Sequence, residues 1–399
     1  MAAVAAVAAA PAAPARFGRC KNNLRMGILG LPNVGKSSLF NVMTSSQVPA
    51  QNVPFCTISP NEARCPYPDE RFDFLCDMWQ SPSQQPAYLM VTDIAGLVKG
   101  ASEGRGLGNA FLSHVAAVDG LFHVVRAFDD ESIIHVEDSV DPIRDLETIT
   151  GELCAKDLKE LAAAVAKEEK DVKKTPGTKL SQLFKDTMAK VEQLLKEGKP
   201  LKDCEFSTPE VDLINAKLGA LLTTKPMIYL VNLTKEDYCR KRNNKQYIGK
   251  VRKWIEAHGG GEVIIFSVEF EEEWAALKGN KEAQLQLSQD NGGAVSAIPQ
   301  MVRSGYAALS LIHYFTCGEK EVKCWTCISG ALAPQAASAI HGDFERLFIK
   351  AEVVSFADFK ELQKSKGLAE VKAAGKVRVE GKRYVVQDGD IVHFQIGKG

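Results

Sequence analysis

Five short apolar runs lie in the first two thirds of the chain, and polar stretches with helical periodicity separate several of them. The runs are 24–29, 88–92, 121–127, 227–231 and 263–266. Most are apolar at every position rather than at alternate positions, which is typical of strands buried on both faces of a parallel sheet. Because such strands alternate with helical stretches, the pattern predicts a doubly wound α/β domain.

Residues 141–223 interrupt this alternation. The segment opens with D-P-I-R-D-L-E-T-I, in which aspartate followed by proline is a helix-start signal. Leucines then recur at helical spacing, and K-T-P-G-T-K at 174–179 breaks the helix before a second helical stretch begins. This pattern predicts an antiparallel helical hairpin inserted between strands of the α/β domain. Its mixed charge indicates a solvated face, with a binding arm as the alternative.

The last ninety or so residues alternate like strands of a small α+β module, in E-V-K-C-W-T-C-I and Y-V-V-Q-D-G-D-I-V-H-F-Q-I. The first of these carries a C-x-x-C pair near His313 and Cys317. On a strand, Cys324 and Cys327 would point to opposite faces, whereas tetrahedral zinc needs convergent ligands. A redox C-x-x-C belongs at a helix start. We therefore expect neither a metal nor a redox site there.

The strongest chemical signal is G-L-P-N-V-G-K-S at residues 30–37, which directly follows the first apolar run and precedes a helical stretch. The spacing G-x-x-x-x-G-K-[ST] in this context is typical of a phosphate-binding loop. Gly30 and Gly35 let main-chain N–H groups face the phosphates at a helix N-terminus. Lys36 would contact the β- and γ-phosphates, and Ser37 would offer a hydroxyl to Mg²⁺.

Two further elements follow in the order that a nucleotide switch requires. Thr57 lies twenty residues beyond Ser37, where a threonine would complete the Mg²⁺ shell. D-I-A-G at 93–96 ends the second apolar run, so Asp93 would hold the metal through water and the Gly96 N–H would sense the γ-phosphate. Five glycines between residues 96 and 108 predict a segment that a ligand orders.

The residue after Gly96 is Leu97, which cannot orient an attacking water as a glutamine would. Two residues offer other routes to hydrolysis. His114, in N-A-F-L-S-H-V-A-A-V, could orient water, although a histidine flanked by apolar residues is more often a core residue. The side-chain oxygen of Asn33 could hold a monovalent cation against the phosphates.

The strand at 227–231 ends on N-L-T-K-E-D, where guanine-binding proteins carry N-K-x-D. Lys235 has only donors and cannot replace that aspartate as a reader of guanine. Asn232 can pair with adenine through both atoms of its amide, and Leu233 can pack on either purine. Two alternatives remain for Lys235, which either donates a hydrogen bond to adenine N1 or points to solvent. Glu236 could accept hydrogen bonds from guanine only if the loop shifts by one residue. We therefore expect ATP to bind at least as tightly as GTP.

Composition narrows the setting. The net charge is −1, no apolar run is long enough to span a membrane, and the ten cysteines are irregularly spaced. These features favour free thiols in a reducing compartment, the cytoplasm. The alanine-rich start lacks the basic region of a secretory signal and favours a disordered tail, with organelle targeting as the alternative.

Taken together, the phosphate loop, D-I-A-G-L-V-K-G-A-S-E-G-R-G-L-G-N and the helical insertion resemble the Obg-like ATPase (YchF) subfamily of translation-factor-related NTPases. P-F-C-T-I-S-P-N-E-A-R, S-V-D-P-I-R-D-L-E and A-P-Q-A-A-S-A-I-H-G-D-F-E extend the resemblance over nearly all of the chain after about residue 20. His114 falls where the family has its switch histidine, and Asn33 matches the asparagine of members that respond to K⁺. The family typically has N-x-x-E where this chain has N-L-T-K, which leaves base selectivity open.

The resemblance implies an α/β P-loop G domain, an inserted helical (coiled-coil) domain and a C-terminal α+β TGS domain. The expected parts are a disordered tail at 1–22, the G domain at 23–140 and 224–303, the insertion at 141–223 and the TGS domain at 304–399. The candidate catalytic residues are His114, Lys36 and Asn33, and the candidate metal ligands are Ser37, Thr57 and Asp93. The candidate nucleotide-binding residues are Gly30, Leu31, Pro32, Asn33, Val34, Gly35, Lys36, Ser37, Ser38, Gly96, Asn232, Leu233 and Ser267.

The implied function is hydrolysis of ATP, with GTP as a second substrate, by an Mg²⁺-dependent enzyme for which K⁺ is an optional second cation. The implied partner is the ribosome or its large subunit, with contact to rRNA as one option. Two alternatives remain. One is an Obg-type GTPase, and the other is a nucleotide-bound ribosomal scaffold whose hydrolysis is incidental.

Overall fold

The computed structural model describes residues 16–18, 24–45, 61–94, 108–130, 133, 139–174, 179–219, 221–240, 247–362 and 368–397. Several residues that the sequence analysis names lie outside these ranges. They are the predicted metal ligand Thr57, Gly96, whose N–H is expected to contact the γ-phosphate, Leu97, and most of the predicted tail. Within them, no helix has both the length and the apolarity needed to cross a membrane.

The described strands form two sheets. They are β1 Arg25–Leu29, β2 Glu62–Pro66, β3 Ser83–Gln85, β4 Tyr88–Asp93, β5 Gly120–Arg126, β6 Met227–Asn232, β7 Val263–Phe266, β8 Leu311–Cys317, β9 Glu321–Ile328, β10 Phe348–Ser355, β11 Arg378–Glu380 and β12 Asp390–Ile396.

The described α-helices vary from one turn to thirty-three residues. They are α1 Lys36–Ser45, α2 Glu70–Trp79, α3 Gly108–Ala117, α4 Pro142–Lys174, α5 Gln182–Lys196, α6 Thr208–Lys217, α7 Lys235–Cys239, α8 Ile248–Ala257, α9 Val268–Ala276, α10 Lys281–Asp290, α11 Ile298–Ala308, α12 Ala333–Ala337, α13 Asp343–Leu347, α14 Phe356–Leu362 and α15 Ala369–Ala373.

The first sheet has the strand order β2-β4-β1-β5-β6-β7 and is parallel except for the edge strand β2. Every residue of β5 is buried, as expected for a central strand covered on both faces. The five apolar runs of the sequence correspond to β1, β4, β5, β6 and β7. In such a sheet the carboxyl ends of the parallel strands meet along one edge, which is where ligands bind.

Helices α4, α5 and α6 form the insertion and bury a core of their own around Leu161, Met188 and Val191. Asp157 of α4 is fully buried and accepts hydrogen bonds from the N–H groups of Leu222 and Thr223 and from the Thr223 hydroxyl. This carboxylate therefore connects the long helix to the segment that returns to β6.

The second sheet has the order β11-β10-β12-β8-β9-β3, so a short strand from the first half of the chain is its edge. Its apolar side chains continue the core of the first sheet: Phe72 and Leu75 of α2 share one cluster with Phe315 and Val322. The predicted boundary at 303–304 is wrong, because it falls inside α11, whose apolar side chains pack in that core. The C-terminal module begins near β8.

Glu271 of α9 links that helix to the chain just before α11. Its carboxylate accepts hydrogen bonds of 2.6 Å from the Ser296 hydroxyl and the Ala297 N–H, and only 1% of the residue is exposed. Burial raises the pKa of Glu271 from 4.5 to about 7. An acid with a raised pKa stabilises the folded chain below its unfolded pKa, and this stabilisation is lost as the pH rises through the folded pKa.

We expect Glu271→Gln to flatten the dependence of stability on pH between pH 5 and 8. A shift of this size corresponds to roughly 3 kcal/mol of unfolding free energy. Urea unfolding at several pH values measures it, with the exposed Glu282→Gln as the control that should keep the wild-type profile. Parallel profiles for wild type and Glu271→Gln would contradict the assignment.

Candidate nucleotide-binding site

The phosphate loop connects β1 to α1 at the carboxyl edge of the first sheet. Two of its residues have left-handed backbone angles, Asn33 (φ 61°) and Gly35 (φ 99°). A Cβ atom on Gly35 would lie 2.6 Å from the Asn232 amide nitrogen, and one on Gly30 would lie 2.6 Å from the Val124 carbonyl oxygen. Glycine is therefore required at both positions by close approach as well as by conformation.

Lys36 is 7% exposed at the start of α1, and its ammonium donates to the Leu31 carbonyl of the same loop. Burial lowers the pKa of Lys36 to about 8, and the charge of Asp93 opposes this shift. A buried ammonium beside loop N–H groups is suited to bind an anion such as a triphosphate.

Asp93 ends β4 next to Lys36 and Ser37. Burial raises the pKa of Asp93, while the Lys36 charge and a hydrogen bond from the Ser37 hydroxyl lower it. Its Oδ1 atom is buried and finds no hydrogen-bond partner among the described residues. A buried carboxylate oxygen without a partner, beside a serine hydroxyl, fits the oxygen ligands that Mg²⁺ prefers.

A pocket of about 430 Å³ opens over this loop. Five predicted residues of the phosphate loop and α1 line it, as do Asn232 and Leu233 from the end of β6. The full lining consists of Asn33, Gly35, Lys36, Ser37, Ser38, Phe128, Asp130, Ile133, Asn232, Leu233, Thr234, Val268, Glu269 and Glu272.

Two family models match the chain. One described as "50S ribosome-binding GTPase" matches residues 25–157, and the C-terminal YchF-GTPase model, described as "Protein of unknown function (DUF933)", matches residues 311–397. Obg-like ATPase 1 of Caenorhabditis elegans is 48% identical over 96% of this chain and 95% of its own length. Its human counterpart is 47% identical over 95% and 93%. The Schizosaccharomyces pombe YchF GTPase structure superposes with a TM-score of 0.83 at 43% identity, over 95% of this chain and all of that one.

The chain belongs to the Obg-like ATPase (YchF) family. The predicted family and fold class are thereby confirmed, and so is a nucleotide-hydrolysing P-loop NTPase. The pocket over residues 30–38 is accordingly the candidate nucleotide site of this family member.

Asn232 connects three walls of this site. Its side-chain nitrogen donates to the Val34 carbonyl and its oxygen accepts from the Val268 N–H, both at 3.1 Å, while its main-chain carbonyl accepts from the Ala127 N–H at 3.0 Å. The amide oxygen and one N–H of Asn232 thus each have a protein partner. Because an amide oxygen can accept two hydrogen bonds, the bidentate pairing with adenine stays a prediction.

Lys235 and Glu236 take neither of their expected roles. The Lys235 ammonium forms an ion pair with Glu273 of α9, 2.6 Å from its Oε2 atom, so this lysine neither reads the base nor points only to solvent. Glu236 is exposed and pairs with Arg240 one turn along α7. Leu233 is buried, and Ser267 at the start of α9 is fully buried. Ser267 therefore lies beneath the wall that Val268 forms rather than in the pocket.

His114 is exposed on α3, so it is not the core histidine that its apolar neighbours allowed. The pocket wall formed by Phe128, Asp130 and Ile133 was not predicted. A signal for it existed, because A-F-D-D directly follows β5, and the residues after parallel strands line the ligand edge of such a sheet.

The C-terminal cysteine pair is structural. Cys324 lies in the core shared by the two sheets and Cys327 in the separate core of the C-terminal module, on opposite faces as predicted. Cys324, His313 and Asp69 come within 4.8 Å of one another. Both Asp69 oxygens, however, accept hydrogen bonds from Arg71, which also pairs with Asp388. This group is an ion-pair network between the two sheets, and its arginine charge opposes a cation.

Proposed function

We propose that this Obg-like ATPase is an Mg²⁺-dependent switch in the cytoplasm that hydrolyses ATP, and also GTP, and reports its nucleotide state to the ribosome in the control of translation or of stress responses. The observation that carries the proposal is the convergence of buried Lys36, the Ser37 hydroxyl and the unpartnered Asp93 oxygen under one pocket. The description "50S ribosome-binding GTPase" of the matching family model supports the large ribosomal subunit as the partner, with rRNA contact included.

Each part of the site has a proposed role. Lys36 and the N–H groups of the phosphate loop bind the β- and γ-phosphates. Ser37 and Asp93 hold Mg²⁺ together with Thr57, and the Gly96 N–H senses the γ-phosphate; Thr57 and Gly96 lie outside the described residues. The metal, when bound, neutralises charge on the transferred phosphoryl group. His114 orients the attacking water. Asn33, whose side chain is exposed at the loop, binds K⁺ beside the phosphates, so hydrolysis should be faster in K⁺ than in Na⁺.

We expect Lys36→Ala to abolish hydrolysis and to weaken binding of the triphosphate. It removes a charge-assisted contact of about 1.5–3 kcal/mol, which corresponds to roughly ten- to 150-fold in affinity. Lys278→Ala is the matched control, because Lys278 donates instead to the Ser45 carbonyl at the other end of α1. Multiple-turnover phosphate release measures the rates.

The same assay with and without ribosomes separates the proposal from its rival. A switch should turn over faster, or bind a different nucleotide, when ribosomes are present. Ribosome binding that is identical for wild type and Lys36→Ala, with no effect of ribosomes on turnover, would favour a scaffold whose hydrolysis is incidental.

For His114→Ala we expect nucleotide affinity near that of wild type and turnover lower by about ten-fold or more, as for the loss of a positioned catalytic group. Because the side chain is exposed, the thermal unfolding midpoint should not change. Ser113→Ala, at the neighbouring exposed position, should leave turnover unaltered. A joint loss of affinity and stability would show that His114 has a structural role instead.

The base site discriminates weakly between purines. The remaining Asn232 N–H can donate to N7, an atom that adenine and guanine share, and Leu233 packs on either ring. Glu269 and Glu272 line the pocket as acceptors, and the amino group that each base carries can donate to them.

We therefore expect ATP and GTP to bind within about ten-fold of each other, or 1.4 kcal/mol. Lys235→Ala and Glu236→Ala should leave this ratio unchanged, since both side chains are engaged in ion pairs. Competition of each nucleotide against a fluorescent analogue gives the ratio. A GTP preference of about a hundred-fold that Glu236→Ala abolishes would instead show that Glu236 reads guanine.

A further inference from the structure

Arg126, the last residue of β5, is 1% exposed and is among the largest fully buried side chains of the described residues. A guanidinium stays charged in a protein, so its burial is costly unless its donors are satisfied. Its Nε, Nη1 and Nη2 atoms donate to the carbonyl oxygens of Phe128, Ile133 and Asp130, at 3.1, 3.0 and 3.1 Å. Every hydrogen bond that it donates to a described residue thus goes to the main chain.

The three residues whose carbonyls accept these hydrogen bonds are also the three that line the nucleotide pocket after β5. These three carbonyls converge on a single side chain. Since carbonyl orientation fixes the backbone angles on either side, Arg126 determines how this wall faces the pocket. The Phe128 ring also lies 4.7 Å from the guanidinium carbon, in cation–π contact.

The wall is attached at two other points. At its start, the Ala127 N–H donates to the Asn232 carbonyl, which joins the wall to the residue that contacts the phosphate loop. Farther along, the Tyr247 hydroxyl lies 3.1 Å from both carboxylate oxygens of Asp129. Tyr247 is near the start of α8 and holds the segment from outside, whereas Arg126 holds it from the protein interior.

The residues that line the pocket are of two chemical kinds. Gly35, Lys36 and Ser37 suit phosphates, whereas Phe128, Ile133 and Leu233 are apolar and suit the nucleoside. We propose that Arg126 is a positioning residue that shapes the nucleoside part of the pocket through the carbonyls of Phe128, Asp130 and Ile133, without contacting the nucleotide. This inference rests on the proposed binding of a nucleoside triphosphate in the pocket.

The test compares ATP with inorganic tripolyphosphate, which carries the phosphates without a nucleoside. Arg126→Met keeps the apolar stem but leaves three carbonyls without the guanidinium donors that orient them. We expect it to weaken ATP binding by about ten-fold or more and raise KM, with kcat and tripolyphosphate affinity within about three-fold of wild type. Arg126→Lys, which keeps the charge without the fork of donors, should be intermediate. Tyr247→Phe removes only the outer contact to Asp129, and it should weaken ATP binding much less than Arg126→Met does.

The ratio of the two affinities decides the outcome. A general loss of structure would weaken ATP and tripolyphosphate equally and would overturn the assignment, as would an unchanged ratio. If Arg126→Met does not fold, Arg126→Lys provides the same ratio, and a wild-type ratio in that variant overturns the assignment too. A wild-type chain that binds tripolyphosphate but not ATP, or binds neither, would contradict the proposed function itself, and the inference would fall with it.

Discussion

The site depends on one asparagine that joins three chain segments with no contiguity in sequence. Asn232 holds the phosphate loop through Val34, the start of α9 through Val268, and the segment after β5 through Ala127. Its amide nitrogen approaches Gly35 so closely that a Cβ atom there would clash. The glycine of the phosphate-loop motif is therefore required by an amide almost two hundred residues away as well as by the phosphates it faces. Two buried polar side chains, Asn232 and Arg126, thus build the pocket by satisfying main-chain groups.

The sequence predicted the strands of the first sheet because each is an uninterrupted apolar run whose burial needs no particular partner. It missed β2 and β3, E-A-R-C-P and S-Q-Q, which are short and largely polar. These become strands only because β4 and β9 offer them hydrogen-bonding edges. The predicted boundary at 303–304 also depends on tertiary contacts that the sequence does not show. The apolar face of α11 could pack on either neighbouring module, and only the packing in the structure shows which one it covers.

The residues of the candidate site likewise differ in whether the sequence could predict them. The phosphate loop and Asp93 were predictable because their spacing is set by local geometry at a strand end. The partner of Lys235 was not, because Glu273 lies on another helix and nothing local marks the pair. Lys235 bears the charge opposite to that of the family's usual acidic residue. In this chain its ion pair joins α7 to α9 beside the pocket, which Thr234 and Val268 help to line.

The two sheets share more than an apolar core. Arg71 of α2 pairs with Asp69 at the start of its own helix and with Asp388 of the C-terminal module, and Asp388 accepts from the His313 N–H. Hydrogen bonds with His313 and Arg71, together with the Arg71 charge, hold the pKa of Asp69 well below its usual range, although burial alone would raise it. Removing one member would leave an uncompensated charge at the junction, which is much costlier than losing an exposed pair. The module that carries β8 to β12 is therefore fixed to the sheet that carries the nucleotide site. A nucleotide-dependent change in orientation between these two bodies would have to break this network.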